Sequence, residues 1–522
     1  MLMKNLIQKR RVWVPLAVLL IAATVLTTGC GLLGRKSEVI IATPNLPDNL
    51  VPVLRQNDEA KMLSDLLFNG LAGFTGRRQS EIALELADGI EQNLEKKDSY
   101  TIYLKRDIAW HDGRPFDARD VLYSWNVIRE ESNDSPLRGR LMDIIAGLDT
   151  TGGLYTLTCR FRVPVAPDDA LWLLSFKIIP YMYDGQEMPV ALTDSELGKA
   201  FGSNPVGTGP FRFVQRTSNE LAITAIDPEQ PIQDVLFRLQ RDPNLRTLNL
   251  IKKRVDVIFN VDPETYNELD AKNLPHSTYA PKAFYALAMN CSRGYTANEK
   301  FREALVHAVD QVTIATELFG EDGGEFSMLN AFPTNDNSLY SRLPANQEFD
   351  LAKAQKLIAE SGYNGEELEL MVNEGMGSVG RIAGQRLVDQ LNAAGINARL
   401  SVIGTAFQTK LAEGRYDLAF VLEDGFGRKY DHYALYYSRG SRNITRIRNT
   451  HLDDIVTKWN NSIVMDVKFP LTQDLNDVLG RVNPYAYMFS APQRVYYNKK
   501  LQNVTIIDED ALIKALPKWS KD

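Results

Sequence analysis

Residues 368–403 constrain the fold of this chain more than any other stretch. Residues 368–372 form a short apolar run, 380–394 carry apolar positions at helical spacing, and 398–403 form a second strand-like run. Strand, helix and strand in close succession make a βαβ unit. Its strands must lie parallel, in a sheet covered on its faces by helices. The pattern recurs at 234–239, with a helix around Arg246 to Lys253 and a strand at 255–259. Further strands are expected at 39–42, 100–104, 154–161, the pair 211–214 and 221–225, 284–289 and 418–422. Helical spacing runs through 58–74, 300–318, 350–361 and 405–414; Asp350 is placed to cap the third of these and Gly362 to stop it. Strands alternating with helices imply an α/β fold with mixed or parallel sheets.

The first 29 residues hold Lys4, Lys9, Arg10 and Arg11 and no acid. An apolar run follows at 12–26, broken by Pro15 and Thr24, about 15 residues where a spanning helix needs roughly 20. Basic, apolar and small residues in that order make a secretory leader. It ends Leu26-Thr27-Thr28-Gly29-Cys30, which resembles the bacterial lipobox. That implies a signal peptide over 1–29, lipidation of Cys30 and a tether over 30–37. The protein would then be anchored by lipid to a bacterial membrane, facing the periplasm or the cell exterior.

The whole chain carries a net charge of −7; removing the leader's +4 leaves −11. That balance argues against nucleic acid as a partner and against electrostatic adhesion to anionic lipid. About 490 residues past the leader exceed one hydrophobic core and call for two or more domains. Cys159 and Cys291, the only cysteines after Cys30, are too few for a disulfide framework; two free buried thiols are expected, with one bridge between them as the alternative. The five histidines, His111, His276, His307, His432 and His451, are scattered and no CxxC occurs, so no metal site is expected.

Four stretches follow in order. The first, within 103–124, contains Trp110-His-Asp112-Gly113-Arg-Pro115-Phe-Asp117-Ala118-Arg-Asp120. The second is Asn204-Pro205-Val-Gly207-Thr-Gly209-Pro210-Phe211, and the third is Phe301-Arg302-Glu-Ala304-Leu-Val-His-Ala308-Val-Asp310. The fourth runs from Phe349 through Lys353 and Ala354 to Gly362-Tyr363. Each has a local reason. Asp112-Gly113 suits a tight turn, and Asp117 can cap a helix opening at Ala118. Gly207 and Gly209 can take positive φ between prolines that fix the flanks. All four read as structural.

Together these stretches resemble the signature segments of the solute-binding proteins of the peptide/nickel (family 5) ABC importers, among them the dipeptide- and oligopeptide-binding proteins. The resemblance runs from about residue 38 to the C-terminus. It implies a two-lobed periplasmic-binding-protein fold of type II, with an extra subdomain in the larger lobe, mixed sheets and two hinge crossings. The larger lobe would hold 38–280 and the return segment 491–522, and the smaller lobe 281–490. Crossings would fall near 281–284 and 488–492. The implied protein is a monomer without cofactor that captures an oligopeptide-like solute and hands it to an ABC permease and its ATPase.

Such a carrier must bind main chain tightly and side chains loosely. Strand-like hydrogen bonding serves the first need and hydrated pockets the second. A carboxylate holds the ammonium end in a charge-assisted pair. The family has that carboxylate just after a smaller-lobe strand, which implies Asp424 here, with Glu423 and Asp431 nearby. Arg428 and Lys429 could meet an anionic ligand group, and Tyr285 and Asn290 lie on or just after a strand that would edge the cleft. Gly375-Met-Gly377-Ser-Val-Gly380 has dinucleotide-binding spacing, but the next strand ends Ile403-Gly404 without the required acid, so no nucleotide site is expected. Two alternatives stay open: the same fold with an oligosaccharide, nickel chelate, haem or signal peptide as ligand, and an anchored hydrolase.

Overall fold

The computed structural model describes residues 37–74, 82–150, 153–162, 164–262, 265–279, 283–319, 327–328, 346–424, 431–461, 465–490, 493–506 and 512–522. Cys30, Arg428 and Lys429 lie outside them.

Two large sheets organise the chain. The first is built from β1 (Glu38–Thr43), β2 (Phe211–Arg216), β3 (Glu220–Ala225), β4 (Asp234–Leu239), helix α1 (Pro243–Ile251), β5 (Val257–Ile258) and β6 (His276–Tyr279). The second is built from β7 (Ala283–Met289), β8 (Ser327–Met328), β9 (Leu368–Asn373), helix α2 (Gly377–Ala394), β10 (Ala398–Ile403), β11 (Leu418–Asp424) and β12 (Tyr485–Ser490). Strand β13 (Gln493–Tyr497) returns to the first sheet. The orders are β2-β3-β4-β1-β5-β13-β6 and β8-β12-β7-β11-β9-β10. In the first sheet β4, β1 and β5 are parallel and the outer strands antiparallel. In the second, β11, β9 and β10 are parallel.

The chain passes between the sheets from β6 to β7 and back from β12 to β13. The strands that flank the two passages are paired on both sides, β6 with β13 and β7 with β12. Tyr279 sits opposite Gln493 on one side, and Ser490 Oγ donates to the Ala283 carbonyl at 3.0 Å on the other. Two adjacent crossings leave bending about one ribbon as the easiest motion between lobes.

Strand β7 is buried along its whole length. Tyr285, Leu287 and Met289 enter one core, with α2 and the helix Glu299–Ala308; Phe284, Ala286 and Ala288 enter the other, with Tyr416, Leu452 and Leu479. This two-faced burial explains the unbroken apolar run, each large side chain contributing about 1.5–3 kcal/mol. The first sheet shares one core with a four-stranded antiparallel sheet: Ala87–Gln92, Ser99–Leu104, Thr156–Phe161 and Ile145–Asp149. Trp519 at the end of the chain is wholly buried in that core.

The βαβ unit forms as expected, with Leu368 opposite Ala398 and Asn373 opposite Ile403. A Cβ on Gly380 would come within 2.8 Å of a Val372 methyl, and one on Gly384 within 2.7 Å of the other and 2.8 Å of Leu400. The glycines therefore let α2 lie close on the sheet. Asp117 caps the helix Ala118–Arg129 in a reciprocal box with Asp120, and Gly113 turns at φ +87°. Asp350 accepts from Lys353 N, and Gly362 ends that helix in the left-handed region.

Four expectations are corrected. The helix expected over 300–318 is two, Glu299–Ala308 and Gln311–Phe319; Val309 is extended, and Asp310 accepts from Thr313 N and Oγ1 to start the second. Only Asp58–Leu67 of 58–74 is helical, and Ala72–Phe74 is a strand. Gly209 N donates to the Leu67 carbonyl at 2.9 Å, and the Asn69 side-chain amide donates to the Thr208 carbonyl at 2.9 Å, so the 204–210 loop claims a carbonyl that a continuing helix would have used. Gly207 and Gly209 do not have positive φ. Their reason is proximity: a Cβ on either would overlap the carbonyl of Leu67 or Leu66. Both thiols are free, but only Cys159 is buried; Cys291, beyond β7 on the other sheet, is partly exposed.

Candidate functional site

Parallel strands place their following loops on one side of a sheet, and in open α/β sheets that carboxyl edge is where ligands bind. Here both sheets present such an edge. In the first, β1, β4 and β5 end at Thr43, Leu239 and Ile258. In the second, β9, β10 and β11 end at Asn373, Ile403 and Asp424. The two edges face each other: Ser378 Oγ, just past β9, lies 3.2 and 3.4 Å from the carboxylate oxygens of Asp262, just past β5. The space between them is the candidate site.

The first edge is held by backbone and buried polar groups. Gln240 N donates to the Thr43 carbonyl at 2.7 Å. Arg246 is buried, and its Nη1 donates to the carbonyls of Gln240 and Arg241 at 2.9 and 3.0 Å. Burial lowers the Arg246 guanidinium pKa, with Asp242 and Glu59 acting against it. Asp242 caps α1 through Asn244 N.

On the second edge, Asp424 is the last residue of β11 and pairs with Ala283, the first residue of β7. Position 424 thus sits where the smaller lobe meets the ribbon. Glu423, its neighbour, is buried on the opposite face and accepts from Arg442 Nη2 at 2.9 Å. Around that ion pair lie the buried phenols of Tyr416, Tyr436 and Tyr485. Burial first, then the Glu423 charge among other neighbours, holds their pKa values above the ordinary range.

Tyr285 is buried at the ribbon end of β7, stacked on Phe420 (centroids 5.6 Å apart, planes at 11°) and tilted against Phe489 at 5.1 Å. Its hydroxyl is pushed up to about 12 by burial, then by the fields of Tyr266 and Asp262 from the other lobe. Tyr285 is thus packed in the core of the second sheet, near enough to the other lobe for the fields of Tyr266 and Asp262 to reach its hydroxyl. Asn290 does not join it. It is wholly buried, its amide nitrogen donates to Gly414 and Tyr416 carbonyls at 2.9 and 3.0 Å, and its oxygen accepts from Ser292. Arg428 lies outside the described residues, and Asp431 begins the helix Asp431–Tyr436. The glycine-rich turn before α2 opens on Asp262, with Gly377 at φ +59°. No group of three or more His, Cys, Asp or Glu among the described residues could hold a metal ion, and no described helix is long and apolar enough to cross a membrane.

Asp262, Ser378 and Arg442 were not singled out in the sequence. Asp262 and Ser378 each lie within a few residues of the carboxyl end of a βαβ strand, so the carboxyl-edge rule points to both once the strand order is known. Arg442 has no such signal; it reaches Glu423 from a loop past the helix Asp431–Tyr436.

The model of the bacterial extracellular solute-binding proteins, family 5 (middle), matches residues 81–445. The oligopeptide-binding protein AppA of Bacillus subtilis is 23% identical over 288 residues, 54% of this chain and 52% of its own length. The nickel-binding protein NikA of Staphylococcus aureus is 20% identical over 331 residues, 61% of this chain and 66% of its own. The chain thus spans between half and two thirds of these relatives. Among solved structures, NikZ from Campylobacter jejuni in complex with Ni(L-His) superposes with a TM-score of 0.78 at 19% identity, over 93% of this chain and all of that one. At that identity the likeness shows a shared fold. With two lobes, a double crossing and facing carboxyl edges beside a match over most of its length, the chain belongs to the family 5 solute-binding proteins of ABC importers.

Proposed function

We propose that this chain is the extracytoplasmic, lipid-anchored receptor of an ABC importer, which takes a peptide-like solute between its lobes and presents it to the permease. The observation that carries the reading is the meeting of two carboxyl edges across one cleft, beside a paired ribbon on which the lobes can close. In this reading the larger lobe comprises 38–280 and 491–522, the smaller 281–490, and Cys30 bears the lipid. Asp424, at the ribbon end of β11, receives the ligand's ammonium group, and Tyr285 closes the floor beside it. Glu423 already has a cation in Arg442, so its part is to hold the end of β11 rather than to bind. Arg428 remains the candidate for an anionic ligand group. The protein carries solute and does not transform it.

A second reading keeps the cleft and changes the ligand. It is favoured by the range among its relatives, one named for oligopeptides and others for nickel or Ni(L-His). One experiment separates the two. The chain from residue 31 is purified, denatured, and the released small molecules are identified by mass spectrometry. Mixed short peptides, lost in Asp424→Ala, support the peptide reading. A sugar or metal chelate, or peptides that persist in that variant, would overturn it or the role of Asp424.

A further inference from the structure

Asp262 and Ser378 are 116 positions apart and belong to opposite lobes, yet they touch at the cleft floor. Ser378 is the second residue of α2 and is buried; Asp262 is half-buried. No side chain caps α2 at Met376 and its first turn holds no acid; within its own lobe Gly377 N donates to the Glu374 carbonyl. The first N–H groups of a helix lack intrahelical acceptors and carry partial positive charge. The Asp262 carboxylate is brought to that end from across the cleft. Its loop is set for the task, since Asn260 turns at φ +51° and the Asp262 carbonyl accepts from Thr265 N at 2.9 Å and Oγ1 at 2.8 Å.

We propose that Asp262 and Ser378 form the closure latch of the two lobes, a carboxylate of the larger lobe accepting the Ser378 hydroxyl on the first turn of α2 in the smaller lobe. The inference rests on the two-lobed solute-binding reading. Opening about the ribbon separates the two edges, so the contact belongs to the closed form alone. A contact made in one state only shifts the balance toward that state. Ligand held between both lobes binds the closed form, and its apparent affinity scales with the closed fraction. The latch thereby sets affinity without touching ligand. A hydrogen bond to a charged, half-exposed group corresponds to a change of roughly five- to tenfold in the closed-to-open ratio.

The test is small-angle X-ray scattering of the ligand-free chain from residue 31, with circular dichroism to verify folding. Asp262→Asn and Ser378→Ala should each increase the radius of gyration, whereas Ser378→Thr, which keeps the hydroxyl, should scatter like the parent. Unchanged scattering in both disrupting variants would sink the latch, as would opening in Ser378→Thr equal to that in Ser378→Ala. Since no ligand is present, the outcome is independent of which solute the cleft takes. A wrong ligand class shows in the mass spectra and leaves the scattering result standing.

Discussion

Single side chains in this protein are set by what burial does to their charge. Cys159 lies buried within a strand, and burial pushes its thiol up to about 12, with Arg160 opposing weakly. Burial also pushes Cys291 up to about 11, with Arg302 pulling down and Glu299 pushing up. The thiolate is the reactive form, so at pH 8 both thiols are held in their unreactive protonated form. Folded protein from residue 31 should therefore react very slowly with Ellman's reagent at pH 8 and release two equivalents promptly once unfolded. Fast stoichiometric labelling of the native protein would contradict these environments. The same logic separates Glu423 from Asp424: one has its charge answered inside the smaller lobe, and the other ends the strand beside the ribbon.

At the scale of elements, the close seat of α2 on β9 and β10 positions the latch, because Ser378 rides on the first turn of that helix. The seat depends on small residues facing Val372 and Leu400. Gly384→Val would place a branched side chain where even a Cβ is too near. Overpacking of this kind costs about 1–3 kcal/mol, more than the few tenths by which helix propensity favours valine over glycine. The expected outcome is a lower urea midpoint, together with the larger radius of gyration of a displaced latch. A midpoint equal to the parent's would show that the helix can lift off without penalty.

Across the whole molecule, the C-terminal return is fastened by charge as well as by Trp519. Lys514 meets Glu85, which also accepts from Gly70 N at 2.8 Å, and Lys177 meets Asp65 at 2.9 Å. Lys521 donates to Asp256 at 2.8 Å and to the Glu38 carbonyl at 2.7 Å. Burial raises the Glu85 carboxyl, but Lys177, Lys514 and the Gly70 N–H outweigh it and hold the net value below the usual range. A carboxyl depressed in the folded state contributes stability above its unfolded pKa and loses it as pH falls through the folded one. Lys514→Met should therefore cost about 1–3 kcal/mol at pH 7, since it strips a partly buried carboxylate of one charged hydrogen-bond partner. The penalty should shrink below about pH 4. Asp65 moves the other way, burial outweighing Lys177, and does not supply this acid dependence. Denaturant midpoints at pH 7 and pH 3.5 check the claim, and a penalty equal at both would refute it.

The sequence by itself determined the elements and the family. Periodicity reports which face a segment buries, caps report where a helix starts, and both are local, so β7, the βαβ unit and the helix capped by Asp350 were legible. Local signals failed where distant backbone intervened. Gly209 N takes the Leu67 carbonyl where a helix with apolar spacing running on ends, and Leu67 crowds Gly207, whose role was read as a matter of φ. Of the site, sequence supplied candidates around the end of β11 but not their sorting. Glu423 was separated from Asp424, and Asn290 removed from the cleft, by partners as distant as Arg442 and Tyr416. Asp262 and Ser378 meet because strand order brings two carboxyl edges together, and a pairing across lobes leaves no period in the chain from which it could be read.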